Sequence, residues 1–284
     1  MLRSSRQSTV YMNVKSLIIL LGVCAMLPGL ASAQDTNISV RDDFEKYFKE
    51  AGVTGGIVIY NLQENNYLIY NEQRVNSAFS PASTFEIMLA LIALDTGVIQ
   101  DEKDVIQWDG VDRDIPVWNA DHNLQSAINY SVVWFFRELA RRIGLETMQK
   151  YLKDAEYGNM ATGGGIDSFW LTGDLRINPM EQVDFLTRLY KNQLPFSGRS
   201  MTIVKKIIFL EQTDDYTLSG KSGWDQNSYP QVGWFIGYIE NDSSVYFIAN
   251  NVDILQPSDS RARLYITMRI LGRLGMLGQD GPGR

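Results

Sequence analysis

The chain has 284 residues, 45% of them apolar, with 26 basic against 33 acidic side chains, a net charge of −7, one cysteine and one histidine. So acidic a chain is poorly suited to nucleic acid or to an anionic membrane. Cys24 and His122 alone cannot build a His/Cys metal site, so no metal is expected.

A basic start precedes an uncharged apolar run over 17–30, too short to span a bilayer comfortably, and Ala31-Ser32-Ala33 supplies the small-x-small pattern after which an export signal is cut. Residues 1–33 are therefore predicted to be a signal peptide and 34–284 a single domain, periplasmic or secreted and free of the membrane after cleavage. Met12-Asn13-Val14-Lys15 is a more typical signal start than Met1. Cleavage would remove Arg3, Arg6, Lys15 and Cys24, leaving 23 bases against 33 acids, a charge of −10, and no possible disulfide.

Residues 55–70 place two β-rich runs around Gln63-Glu64-Asn65-Asn66, the pattern of a β-hairpin. From about 84 to 211 the chain is predicted to be mainly helical, with apolar spacings near 3.6 over 127–143, 145–152 and 179–191. The lone His122 is expected at the surface or at a cap. Gly163-Gly164-Gly165 reads as a loop, since no phosphate-binding motif accompanies it. Residues 216–218 read as a strand just before Lys221, 231–238 and 244–252 as a second hairpin, and about 259–274 as a terminal helix. Strands at both ends with helices between them predict an α+β fold: an antiparallel sheet completed by both chain ends, flanked by terminal helices, with an inserted mainly helical subdomain over about 84–211. The cleft belongs at the junction of the two parts.

Two readings fit Ser83-Thr84-Phe85-Glu86. In one, Ser83 caps a helix and Glu86, three residues on, completes a capping box. In the other, Ser83 is a nucleophile at the positive end of a helix, where charge developing during acyl transfer is stabilised. Partners for the second reading follow in order: Trp108-Asp109-Gly110, Ser131-Val132-Val133, Tyr157-Gly158-Asn159, Gly165-Ile166-Asp167-Ser168-Phe169-Trp170-Leu171 and Lys221-Ser222-Gly223. Together with Pro81-Ala82-Ser83-Thr84-Phe85 these resemble the class D serine β-lactamases, of serine β-lactamase or penicillin-binding transpeptidase-like fold, over about 55–269.

The resemblance implies that Ser83 is the acylated nucleophile and its amide half of an oxyanion hole. It implies that Ser131 passes protons to the leaving nitrogen, and that Lys221, on an edge strand, supports Ser131 and attracts the substrate carboxylate. Ser222 keeps a hydroxyl donor where threonine is commoner, and Arg263 binds the same carboxylate. Val133, Leu171, Gly223 and Trp224 are expected against the substrate, Trp170 closing the site beside the base, and Trp234 along the next strand; Phe169 and Trp170 also fit as plain core aromatics. The implied partner is a small-molecule β-lactam, with the protein a monomer or homodimer.

Glu86 departs from the pattern. The family has there a lysine whose carbamate is general base in both acylation and deacylation; Glu86 cannot be carbamylated, so no cofactor or modification is expected. Its carboxyl carbon is three bonds nearer the backbone, roughly 3 to 4 Å short of the carbamate, so direct contact with Ser83 is not expected. A general base is typically worth 10²- to 10⁴-fold, so hydrolysis is expected to be severely impaired or absent, deacylation suffering most. A non-hydrolytic β-lactam-binding or sensing protein is the alternative, and a cell-wall transpeptidase or carboxypeptidase a third.

Overall fold

The structure, a computed structural model, describes residues 37–278; the predicted signal peptide lies outside the described residues. The chain opens with β1 (Asn37–Val40), α1 (Glu45–Glu50), β2 (Gly55–Asn61), β3 (Asn66–Tyr70) and the short α2 (Glu72–Val75). Next come α3 (Glu86–Asp95), the two-residue strands β4 (Val105–Ile106) and β5 (His122–Asn123), α4 (Leu124–Tyr130), α5 (Val133–Ile143), α6 (Leu145–Asp154), α7 (Pro179–Tyr190) and α8 (Gly198–Ile207). The last elements are β6 (Phe209–Gln212), β7 (Thr217–Asp225), β8 (Gln231–Glu240), β9 (Val245–Ile254) and α9 (Ala262–Arg273).

A seven-stranded sheet runs β1-β3-β2-β9-β8-β7-β6. It is antiparallel except where β1 lies parallel to β3. The register of β2 with β9, Ile57 opposite Asn250 and Ile59 opposite Ile248, joins the two ends of the chain in one sheet, as the strand pattern predicts. Side chains alternate across the pleat. Ile57, Ile59 and Ile248 pack with Phe44, Phe48, Ile266 and Ile270 around α1 and α9. On the other face Val58, Tyr60, Phe247 and Ala249 join the core of α3, α5 and α7.

Within the helical part α3 is the buried axis: Glu86 to Leu94 are all buried, and Glu86 is the single charge among them. A helix apolar on every side must be surrounded by protein, and α3 packs against α5 and α8. Its N-terminus points the Glu86 carboxylate at Lys221 of the sheet.

Three expectations are corrected. The helix predicted over 127–143 is two helices, because Ser131 adopts a left-handed conformation (φ 50°, ψ 53°) that closes α4, and α5 restarts at Val133. His122 is neither exposed nor a cap: it is buried, its Nδ1 2.9 Å from Ser126 Oγ and its Nε2 2.8 Å from the Val117 carbonyl. No capping box joins Ser83 to Glu86, since neither the 3₁₀ turn Ala82–Phe85 nor α3 has a side-chain cap. Asn178 and Glu181 at the start of α7 do form one, satisfying two amides that the helix itself leaves free.

Candidate active site

Ser83 stands in the 3₁₀ turn Ala82–Phe85 that leads into α3. The preceding Ala82 is fully buried and left-handed (φ 47°), a conformation costing a non-glycine residue about 1–2 kcal/mol. Surrounding bonds hold the turn: the Ala82 amide donates to the Trp170 carbonyl at 3.1 Å, and Thr84 Oγ1 donates to the Pro81 carbonyl at 2.7 Å. Trp234 Nε1 donates to the Ser80 carbonyl at 2.9 Å from beneath. Behind the turn Phe85 packs against Tyr157, Phe169 and Trp170.

Strand β7 forms the facing wall. It pairs with β8 over 217–225 but with β6 only over 217–219, so Lys221, Ser222, Gly223 and Trp224 lie on a free edge. Gly223 lets that edge approach: a Cβ there would sit 3.0 Å from Thr84 Cγ2 and 3.1 Å from the Pro81 carbonyl oxygen. Arg263, at the start of α9, donates from Nη1 to the Gly223 carbonyl at 2.9 Å.

Lys221, 6% exposed, collects three groups. Its ammonium donates to Ser131 Oγ and, at 3.0 Å, to the Ser222 carbonyl, and it stands 3.1 Å from Glu86 Oε2. The last contact is an ion pair without an aligned hydrogen bond, so that buried oxygen keeps an unfilled acceptor site. Burial pushes the Glu86 carboxyl up to about 7, against the opposing pull of Lys221 and of hydrogen bonding from the Ser83 hydroxyl. Ser83 and Glu86 are i and i+3 across a 3₁₀ turn, where such side chains eclipse, so the Ser83 hydroxyl acts on the Glu86 carboxyl from one turn away.

Ser83, Ser131, Val133, Leu171, Ser222, Gly223, Trp224 and Arg263 line one cleft of about 380 Å³, shared with Trp118, Tyr130 and Arg137. Lys221 and Glu86 lie just under its floor. Trp170 and Trp234 do not line it: they are 1% and 0% exposed and act through the backbone bonds above. Tyr130 and Arg137 were not among the expected residues; Arg137 follows Val133 by four positions on α5, the spacing that puts two side chains on one helix face. A larger hollow of about 960 Å³ opens beside β6. Its charged groups are already taken, Lys206 by Glu102 and Glu240 by Tyr190, and its lining pairs no nucleophile with a base. Among the described residues no group of His, Cys, Asp and Glu could hold a metal ion.

Chemically, a hydroxyl at a helix start, a buried carboxylate with a free lone pair and an ammonium bridging that carboxylate to a second hydroxyl can attack a carbonyl and move the released proton to the opposite side of the cleft. Residues 54–272 match the family described as the penicillin binding protein transpeptidase domain. Beta-lactamase OXA-48 of Klebsiella pneumoniae is 40% identical over 90% of this chain and 95% of its own length. The probable beta-lactamase YbxI of Bacillus subtilis is 39% identical over 87% and 90%. The regulatory protein BlaR1 of Bacillus licheniformis is 35% identical over 85% of this chain, which spans 40% of it. Of solved structures, the class D beta lactamase YbXI from Nostoc superposes with a TM-score of 0.80 at 43% identity, covering 82% of this chain and 98% of that one. FUS-1 (OXA-85), a class D beta-lactamase from Fusobacterium nucleatum, gives 0.82 at 35% identity, covering 84% and 100%.

Proposed function

Because the chain belongs to the penicillin-binding transpeptidase family, among its class D β-lactamases, we propose that it is an exported, periplasmic or secreted protein that acylates Ser83 with β-lactams and releases the product slowly. Supporting this above all is Glu86 Oε2, buried, beside Lys221 and with an acceptor site unfilled.

In acylation Ser83 Oγ attacks the β-lactam carbonyl while its proton passes to Glu86. The ring C–N bond breaks, and the nitrogen takes a proton from Ser131, which Lys221 replenishes. Lys221 in turn regains its proton from Glu86, so the site ends where it began. The Ser83 amide stabilises the developing oxyanion, and Arg263 with Ser222 receives the substrate carboxylate.

Deacylation asks more. An unstrained ester must be attacked by a water activated by a carboxylate that Lys221 already engages. Glu86 reaches roughly 3 to 4 Å less far than the family's carbamate and is held by Lys221, so that water is poorly served and hydrolysis is expected to be severely impaired. A non-hydrolytic β-lactam-binding or sensing role is the second reading, favoured by the same contact between Glu86 and Lys221.

Intact-mass spectrometry with a penicillin, beside a chromogenic cephalosporin assay, tests the proposal. The expected result is a persistent adduct on Ser83 with negligible turnover, and bicarbonate-dependent hydrolysis in Glu86→Lys. Rapid hydrolysis by the native chain would overturn the view of Glu86 as a weak deacylation base. A Glu86→Lys variant that hydrolyses nothing would remove the assignment of the whole site.

A further inference from the structure

We propose that Arg137 forms a second anion-recognising subsite, which makes the cleft selective for β-lactams carrying a second carboxylate on the acyl side chain. The proposal rests on the reading of the cleft as a β-lactam site.

Arg137 lines the cleft together with Trp118, Val133 and Ser83. It makes no hydrogen bond or ion pair with any described residue, and its Nε is buried without a partner. A buried guanidinium nitrogen left unpaired is costly, and such groups are normally matched by an acid nearby. Here the two acids that share a hollow with Arg137, Asp109 and Glu138, are engaged, as is Asp167. Glu138 is held by Arg141 at 2.9 Å and by Arg142 at 2.8 Å, Asp167 by Arg141 at 3.0 Å, and Asp109 by Arg113. The positive charge of Arg137 is therefore left for something that enters the cleft.

Its position decides which part of a ligand it meets. The hollow flanking the cleft beyond Arg137 is walled by Trp118, Val133 and Trp134. The hollow beyond Arg263 is walled by Ser222, Phe235 and Leu264. The two share no residue, so Arg137 and Arg263 line the cleft beside different hollows. A β-lactam whose ring carboxylate is held by Arg263 and Ser222 leaves Arg137 to meet another part of the ligand, the acyl side chain. A carboxylate on that side chain finds a planar five-donor fork with no competing acid, while an uncharged side chain leaves Nε unpaired. Selectivity follows from that difference.

The test compares benzylpenicillin with its α-carboxy derivative, carboxybenzylpenicillin. Rates of Ser83 acylation are measured by intact mass in the native chain, in Arg137→Gln and in Arg137→Lys. Arg137→Gln is expected to lower the dicarboxylate-to-monocarboxylate rate ratio by about tenfold, and Arg137→Lys to restore part of it. Noncovalent affinities of the same two compounds for Ser83→Ala, with and without Arg137→Gln, give a readout that needs no acylation. If neither compound labels Ser83 the acylation reading fails, and the Ser83→Ala affinities still decide the subsite. An equal ratio in native and Arg137→Gln proteins, by rate and by affinity, overturns it.

Discussion

Glu86 carries both the stability and the chemistry of the site, and the two pull against each other. Burial raises its carboxyl from an ordinary 4.5 to about 7, with Lys221 and Ser83 opposing. Between those values the folded chain holds a proton that the unfolded chain has released, so stability falls as pH rises across the window and is level outside it. The loss is on the order of 3 kcal/mol. Acylation needs the carboxylate, so its rate should climb over the upper part of the same range. Denaturant unfolding and adduct formation, followed from about pH 5 to about pH 8.5, are therefore expected to move in opposite directions, and Glu86→Gln to flatten both. Two flat native profiles would remove Glu86 from both roles. In the sequence the residues of the cleft were legible because Ser83, Ser131, Ser222 and Arg263 stand at the spacings of a known pattern. Arg137 was not, since a basic residue on an amphipathic helix reads as solvated, and its missing partners appear only once Glu138 and Asp109 are seen to be occupied.

At the level of elements, local signals failed where tertiary contacts outbid them. Ser83 and Glu86 have the spacing of a capping box, yet Glu86 turns to Lys221 on a strand 135 positions away. Asn178 and Glu181 have the same spacing with no such competitor, and the box forms. Helical periodicity likewise runs straight through Ser131, because Ala127, Ile128, Val132, Phe135, Phe136 and Leu139 keep a helical spacing across it in the sequence. The left-handed kink there delivers the Ser131 hydroxyl to Lys221. The closeness of β7 to the Ser83 turn yields a test. In Gly223→Ala the new methyl meets the Thr84 side chain and the Pro81 carbonyl at 3.0 to 3.1 Å, and the carbonyl, fixed by its bond from Thr84, has little room to yield. A cost of about 1–3 kcal/mol is expected, or roughly 2–4 °C of melting temperature per kcal/mol, together with slower acylation as strand and turn are forced apart. A Gly223→Ala protein that melts and acylates as the native chain does would show the approach to be looser than these distances imply.

Across the whole molecule, the antiparallel sheet shared by both ends of the chain was legible because its strands alternate so regularly, Ile57 and Ile59 toward one layer and Val58 and Tyr60 toward the other. The edge strand β6 was not, since Phe209–Gln212 is short and exposed throughout and so lacks that alternation. Charge shows a similar contrast between the whole and its parts. The chain carries −7 in total yet presents Arg137 and Arg263 to its cleft. For a domain with a radius of gyration of about 18 Å, even ten excess negative charges repel a monoanion by roughly 2 kcal/mol in unscreened water. Salt at 0.1 M, with a Debye length of about 10 Å, cuts this to a few tenths. A carboxylate about 4 Å from a half-buried guanidinium is attracted by up to about 4 kcal/mol before desolvation, so the local field should win. Acylation by an anionic penicillin is thus expected to slow as salt rises from about 0.05 M to about 0.5 M, measured as the initial rate of adduct formation. A rate that rises with salt would mean that the global negative charge, not the arginines of the cleft, governs how substrate arrives.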